Sequence, residues 1–219
     1  MIKELYNQQE VNWPKSGKHI LAQFDDDTII VYQAYRSSIG HFAASNQYFG
    51  GGFSYTRMSW IKPNFLWMMY RSGWGTKPGQ EVTLAIRIKR LFFDRILALA
   101  VASSFRQSTN FDTEEEWKKA LRSSDVRLQW DPDHDPTGDK VERKAIQLGL
   151  RNDVIKEYGR EAIVEILDIS DFVSEQRIFA KEDFANLIIP KEEVYTPNDE
   201  DACYNIGLDR KVNQVVQTR

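Results

Sequence analysis

Hydrophobic and polar positions alternate in several short stretches of the chain, and this alternation predicts β-strands. Within GQEVTLAIRIKR, the apolar Val82, Leu84 and Ile86 alternate with small or polar residues, which is the period of a half-buried strand. β-Branched and aromatic residues, which favour a pleated surface, cluster in the other predicted strands. These strands cover residues 28–35, 126–130, 144–150 and 162–169.

Apolar residues at helical spacing, bounded by capping residues, predict helices between the strands. Thr113 and Glu116 form a capping box that opens a helix through Leu121. Pro63 suits the first turn of another helix, which ends at Gly73. The predicted helices cover residues 37–47, 64–72, 92–102, 113–121, 171–180 and 182–187, with one more between the last two strands.

Strands and helices are mixed in this chain without a regular βαβ alternation. We therefore predict an α+β fold, a single domain with a mostly antiparallel sheet flanked by helices. Residues 25–190 are assigned to this globular domain, 1–24 to an N-terminal segment, and 191–219 to a polar tail or edge element.

The composition is that of an ordinary globular protein, with 42% hydrophobic and 28% charged residues among 219. A net charge of −3 excludes a global basic field that would recruit long nucleic acid, although a local basic groove is compatible with it. The single cysteine, Cys203, excludes an intrachain disulfide and fits a reducing compartment. Neither a signal peptide nor a stretch of about 20 apolar residues is present, so we expect a cytoplasmic protein without a membrane partner.

The acidic stretch DPDHDPTGDKVE (131–142) has the carboxylate spacing of a calcium-binding loop. Its sixth position is Pro136, where such a loop needs glycine for its sharp turn, so we interpret the stretch as a solvated loop. The three histidines, His19, His41 and His134, lack the paired spacing of a zinc or iron site. We therefore predict no metal site.

The strongest candidate for a binding site is the stretch RMSWIKPNFLWMMYRSGWG (57–75). It threads Arg57, Lys62 and Arg71 through a run of aromatic and apolar residues. Long cations beside a buried helix must be paired, exposed or directed into a polar cleft. Two of these cations precede the helix N-terminus, whose free N–H groups favour an anion. The stretch is interpreted either as a core helix with polar ends or as a pocket for a phosphorylated aromatic ligand, such as a nucleotide.

Five blocks of this sequence resemble the bacterial and fungal family named domain of unknown function 4291. The resemblance covers about residues 20–180, and the block that begins at Arg57 is its most specific part. The family name implies no activity. The blocks are IIVYQAY, RMSWIKPNFLWMMYRSGWGTKPGQE, VTLAIRI, VRLQWDPDHD and KAIQLGL.

The order of elements is also similar to the layout of the ADP-ribosyltransferase and tRNA 2′-phosphotransferase-like fold. This resemblance implies NAD as a cofactor, with ribose-holding residues on the first strand and an acceptor-orienting residue on a later one. The corresponding positions are Gln33 or Arg36, Ser59 with Trp60, and Gln147. Gln33 stands where that fold has His or Arg, and Gln147 stands where it has Glu or Gln. Glutamine can hydrogen-bond ribose hydroxyls but cannot act as a base.

Three functions stay open at this point. The first is a transferase that uses NAD or another nucleotide, with Gln33 and Gln147 fixing sugar hydroxyls and Asp131 as the nearest candidate carboxylate. The second is a non-catalytic module for a nucleotide or a single-stranded nucleic-acid end, and the third is a structural protein. The predicted ligand-binding residues of the first two are Tyr35, Arg36, Arg57, Ser59, Trp60, Lys62, Trp67 and Arg71.

Overall fold

The computed structural model describes residues 1–181 and 183–209, which form twelve strands and eight α-helices. The strands are β1 (Lys3–Leu5), β2 (Gly17–Lys18), β3 (Ile20–Ala22), β4 (Thr28–Tyr35), β5 (Ser59–Ile61), β6 (Val82–Lys89), β7 (Val101–Ala102), β8 (Val126–His134), β9 (Lys140–Leu150), β10 (Ile163–Asp168), β11 (Ile188–Pro190) and β12 (Glu193–Tyr195). The helices are α1 (Tyr6–Glu10), α2 (Ser37–Asn46), α3 (Phe65–Ser72), α4 (Arg90–Ala98), α5 (Glu114–Ser123), α6 (Asn152–Arg160), α7 (Ser170–Phe179) and α8 (Glu200–Asn205).

Two sheets dominate the fold. The first has the strand order β10-β6-β4 and is antiparallel throughout. The second has the order β2-β9-β8-β7, and β5 also pairs with β9. Only the short β2–β9 and β7–β8 ladders of the described residues are parallel. The predicted α+β fold with a mostly antiparallel sheet is therefore confirmed.

The core forms on both faces of the first sheet. One face, which carries Val31 and Ile86, packs in a single apolar cluster with Leu148 of the second sheet. The opposite face, which carries Ile30 and Ala85, packs with α3 and α7 in a second cluster. β4 and β6 are thus buried on both faces, and β4 lies between the second sheet and α3.

The predicted domain borders at residues 24 and 191 are crossed by two strand pairs. β1 pairs with β11 and β3 pairs with β12, so the N-terminal segment forms two small sheets with residues 188–195. Ala202 and Ile206 are fully or almost fully buried in the first apolar cluster. The predicted tail extends to residue 219, and its residues 210–219 lie outside the described part of the chain.

Three predicted elements need correction. The helix predicted over 92–102 ends at Ala98, and Val101–Ala102 pairs with β8. The side-chain amide of Asn205 donates to the carbonyls of Leu97 and Ala98, so a residue distant in sequence satisfies the end of this helix. Residues 183–187 of the helix predicted over 182–187 form a turn instead, while residue 182 is not described.

The acidic loop predicted over 131–142 is also incorrect, because most of it belongs to two paired strands. β8 continues to His134 and β9 begins at Lys140, which leaves a short turn between them. In that turn, Asp135 Oδ1 accepts hydrogen bonds from the backbone N–H groups of Thr137, Gly138 and Asp139. Within 1–181 and 183–209, no helix combines the length and apolar character that a membrane span needs.

Candidate functional site

A cavity of about 410 Å³ lies where β4 and β5 separate. The two segments touch at Tyr32 and Lys62, whose backbones exchange hydrogen bonds of 2.7 and 3.3 Å. Beyond this bridge β4 stays with β6 while β5 stays with β9, so the two sheets diverge. The volume is that of a small-ligand site. The lining residues are Gln33, Ala34, Tyr35, Met58, Ser59, Trp60, Lys62, Met68, Arg71, Gln80, Gln129 and Gln147.

A hydrogen-bond network fixes the wall where β4 and β5 diverge. Gln33 Nε2 donates to Ser59 Oγ at 2.8 Å and to the carbonyl of Trp60 at 3.1 Å. Gln33 Oε1 accepts from the Tyr158 hydroxyl at 2.7 Å. The Tyr35 hydroxyl lies 2.9 Å from Ser59 Oγ. Both the oxygen and the NH₂ group of the Gln33 amide are engaged. This side chain therefore holds Ser59 and Trp60 in place and is not placed to transfer a proton.

Lys62 is a buried cation that lines the cavity. Its exposed fraction is 5%, and its amine has no hydrogen-bond or ion-pair partner among residues 1–181 and 183–209. Burial and the neighbouring Arg71 guanidinium lower the pKa of Lys62 to about 8, against an opposing effect of the Asp131 carboxylate. The amine is not among the side-chain atoms that are sealed from solvent without a partner, so it faces the cavity, where a ligand anion is the expected complement.

Asp131 holds two glutamine side chains of the cavity wall. Gln129 and Gln147 face each other across the β8–β9 ladder. Their Nε2 atoms donate to Asp131 Oδ1 at 2.8 Å and Oδ2 at 2.7 Å. Both carboxylate oxygens are thus engaged, and Asp131 is not among the lining residues. Of these two predicted site residues, Gln147 lines the cavity and Asp131 lies behind it.

The predicted cations do not all share one cavity. Arg71 is exposed and lines the cavity of Lys62, whereas Arg36 and Arg57 line a neighbouring cavity of about 330 Å³. The two cavities share Tyr35, Met58 and Ser59 as a common wall. None of the three arginines forms an ion pair with a carboxylate of the described residues. Positive charge is therefore concentrated on both sides of this wall.

Trp60 and Trp67, the two tryptophans among the predicted ligand-binding residues, lie in different environments. Trp60 lines the cavity opposite Gly149, where an added Cβ would come within 3.0 Å of the indole ring. Glycine at this position therefore makes room for Trp60. Trp67 is 7% exposed, stacks with Tyr70 and His134, and does not line the cavity. It belongs to the packing of α3 against β8.

The predicted anion site at the N-terminus of α3 is closed by the protein's own side chains. Asn64 Oδ1 accepts from the Trp67 N–H at 2.6 Å, and Glu192 Oε1 accepts from the Phe65 N–H at 2.7 Å. Both capping residues are buried. The first N–H groups of α3 are thus capped by an amide and a carboxyl group of this chain, and the candidate anion site shifts from the helix end to Lys62.

Replacing Glu192 with glutamine is expected to stabilise the protein at neutral pH. Burial raises the pKa of Glu192 well above 4.5, so the folded protein retains a proton that the unfolded chain releases near 4.5. Stability contributed by this group is therefore lost as pH rises through the folded pKa. Glutamine still accepts from Phe65 and does not titrate. Urea unfolding from pH 4 to 8 should show the advantage of E192Q growing with pH, and Glu192→Met, which lacks the acceptor, should be destabilised throughout.

Two glutamines and a tyrosine of the site, Gln80, Gln129 and Tyr158, are absent from our predictions, and only Gln129 has a simple signal in the sequence. Gln129 and Asp131 are two residues apart on a strand and therefore share a face. Gln80 lines the cavity from the segment that precedes β6, and Tyr158 reaches Gln33 from α6. Nothing local in the sequence indicates these last two contacts, because they join residues far apart in the chain. Among the described residues, no group of three or more His, Cys, Asp or Glu side chains is arranged to hold a metal ion.

Comparison with known families gives one result. Residues 19–195 match the family model described as Domain of unknown function (DUF4291). The chain belongs to this family. No curated protein matches the chain. All twelve residues that line the cavity of Lys62 lie within the DUF4291 region, and so does the Asp131 carboxylate. The family assignment and the site thus concern the same part of the molecule.

Proposed function

We propose that the cavity of Lys62 binds a phosphorylated aromatic ligand, and that this ligand is a nucleotide. The observation that carries the proposal is the Lys62 amine, which opens into the cavity from a side chain that is only 5% exposed and has no hydrogen-bond or ion-pair partner among the described residues. Arg71 lines the same cavity and has no carboxylate partner there either. A phosphate group would complement both cations, because each donates charge-assisted hydrogen bonds to anionic oxygens.

The aromatic residues of the cavity support a planar ring as the second part of the ligand. Trp60 and Tyr35 line the cavity together with Lys62, and both are only partly buried. Indole and phenol rings stack with nucleobases, and each such contact contributes about 1–3 kcal/mol. Gly149 leaves space for the Trp60 ring at the wall. Phosphate-binding cations and stacking rings within about 410 Å³ fit a nucleotide better than a purely structural role.

NAD is the first ligand to test, and an RNA end is the second. The contact between Gln33 and Ser59 supports NAD, because the resemblance to the ADP-ribosyltransferase-like layout assigns the ribose-holding residue to the position of Gln33 and a residue near the nicotinamide to the position of Ser59. Arg36 and Arg57 in the adjoining cavity would support a longer ligand that continues across Tyr35. We favour binding over catalysis, because no carboxylate lines the cavity within the described part of the chain.

Thermal unfolding with a ligand panel tests this proposal. The panel contains NAD, ADP-ribose, ATP, GTP and a short single-stranded RNA. A ligand at about 100 times its Kd should add about 2.7 kcal/mol, which raises Tm by several degrees. Arg71→Ala and Trp60→Ala should each reduce the shift by weakening binding at least tenfold, while Arg57→Ala should affect a mononucleotide less than the RNA.

The same experiment can contradict the proposal. If no ligand of the panel shifts Tm in the wild-type protein, residues 57–75 serve the core, and Arg57 and Arg71 are surface charges. If a ligand binds, incubation with NAD and detection of free nicotinamide distinguishes turnover from binding. Release of nicotinamide would favour the transferase over the binding module.

A further inference from the structure

The chemistry of Asp131 fixes the orientation of two amides in the cavity wall. An ionised carboxylate only accepts hydrogen bonds, so the Gln129 and Gln147 side chains must turn their NH₂ groups toward it. The carbonyl oxygens of both amides then point away from Asp131. Within 1–181 and 183–209 neither oxygen accepts a hydrogen bond from another residue, and both side chains line the cavity.

We propose that these two carbonyl oxygens bind the vicinal hydroxyls of a ribose, so that the ligand of the cavity is a ribonucleotide. The proposal rests on the proposed function and narrows it to one ligand class. Gln129 and Gln147 are direct partners across an antiparallel ladder, where Cβ atoms lie about 4.5–5.5 Å apart. Two acceptors carried by facing side chains, both anchored on one carboxylate, suit two donors on adjacent carbon atoms of one sugar.

The other polar groups of the cavity favour hydroxyls over an amino group of a base. Lys62 donates and does not accept, and the hydroxyls of Ser59 and Tyr35 can do both. A sugar hydroxyl donates to a glutamine carbonyl and at the same time accepts from one of these groups. An exocyclic amine only donates to the glutamines and leaves the donors of the cavity without a partner.

In this arrangement Asp131 is a positioning residue and does not touch the ligand. Its replacement by asparagine keeps the size of the side chain. It removes one of the two oxygens that accept from the NH₂ groups of Gln129 and Gln147. An asparagine amide offers one acceptor and one NH₂ group, so one of the two glutamines can reverse. Asp131→Asn should therefore change which sugar is preferred, whereas a residue with a structural role alone would change stability.

Isothermal titration calorimetry with AMP, 2′-deoxy-AMP and 3′-deoxy-AMP tests the proposal. Loss of one hydroxyl leaves a carbonyl oxygen unsatisfied, so the wild-type protein should bind AMP about tenfold more tightly than either deoxy form. Asp131→Asn and Gln147→Leu should each reduce this preference to below about threefold. Gln8→Leu is the matched control, since Gln8 is exposed and lies outside this cavity, and it should keep the preference.

The outcomes separate this inference from the proposed function. Equal affinity for AMP and its deoxy forms, with binding lost in Lys62→Met, overturns the ribose assignment and leaves the nucleotide site in place. A preference that survives in both Asp131→Asn and Gln147→Leu overturns the role of the glutamine pair. If IMP, which lacks the exocyclic amine, is the form that loses affinity, the pair recognises the base instead. No binding of AMP at all overturns the ribonucleotide site as a whole.

Discussion

Replacing Lys62 with methionine is expected to abolish nucleotide binding and to make the unliganded protein more stable. Methionine has a similar length and fills the same volume without a charge. The buried amine has a pKa of about 8 instead of 10.5, and each pKa unit corresponds to about 1.4 kcal/mol. The charged amine therefore costs the folded protein about 3 kcal/mol below pH 8. A variant that gains stability and loses its ligand identifies Lys62 as a functional residue.

The stability gain of Lys62→Met should depend on pH in a defined direction. Between about pH 8 and 10.5 the unfolded chain binds the Lys62 proton more tightly than the folded protein, so wild-type stability rises with pH. The advantage of the variant is full below pH 8 and disappears toward pH 10.5. Burial also raises the pKa of Tyr32 and Tyr158, but these groups affect both proteins alike. The difference in unfolding free energy between the two proteins isolates Lys62.

The measurement is urea unfolding of both proteins at pH 7, 8.5 and 10, together with calorimetric titration of the best ligand of the panel. Ligand affinity should fall at least 100-fold in the variant, because a phosphate loses a charge-assisted partner. Lys118→Met is a suitable control, since Lys118 is exposed and pairs with Glu114 on α5. A Lys62→Met protein that is less stable than the wild type, or that binds the ligand normally, would contradict the assignment.

The elements that the sequence predicts well are those whose limits depend on nearby residues. The limits of α3 follow from Asn64, which caps its first turn, and from Gly73, which has a positive φ of 60°. β4 and β6 follow from their runs of β-branched and apolar residues. The N-terminus of α5 follows from Thr113, whose hydroxyl accepts from the Glu116 N–H.

The elements that the sequence mispredicts are those whose limits depend on distant residues. Pro132 and its acidic neighbours are typical of a loop, but none of the described strands pairs with the other side of β8 there, so proline is tolerated. Leu187 lies in a predicted helix, yet its carbonyl accepts from the Tyr6 N–H where the chain joins β1. The contact between Tyr6 and Leu187 spans well over a hundred residues, and local composition carries no signal for it.

The same distinction applies to the candidate site. The stretch 57–75 is recognisable in the sequence because cations among buried residues need a partner. Lys62 is the most buried of these cations. Sequence spacing could not show that Glu192 closes the end of α3, or that Asp131 is engaged by two glutamines. Because of both contacts, the candidate ligand-binding groups are the amine and the amides of the cavity and not the helix terminus or the acidic residues.

Replacing Arg143 with methionine is expected to destabilise the protein by about 3–5 kcal/mol, because it leaves the buried Asp133 carboxylate without its partner. The side chains of Arg143 and Asp133 are 7% and 1% exposed, and Nη2 lies 2.6 Å from Oδ2. Arg143 Nη1 also donates to the Pro14 carbonyl at 2.7 Å, which ties the N-terminal segment to β9. A Tm decrease of about 10 °C is expected for a chain of this size.

A double-mutant cycle in thermal unfolding at pH 7 measures this coupling. Asp133→Asn combined with Arg143→Met should be more stable than Arg143→Met alone, because the double variant buries no unpaired charge. Arg95→Met is the matched control, since its partner Glu157 is exposed and such surface pairs contribute about 0–1 kcal/mol. If Arg143→Met loses no more stability than Arg95→Met, the acidic stretch around Asp133 is not structural. A large loss that the double variant relieves would mean that Asp133 supports the β8–β9 hairpin, which leaves Asp131 as the carboxylate that orients the cavity.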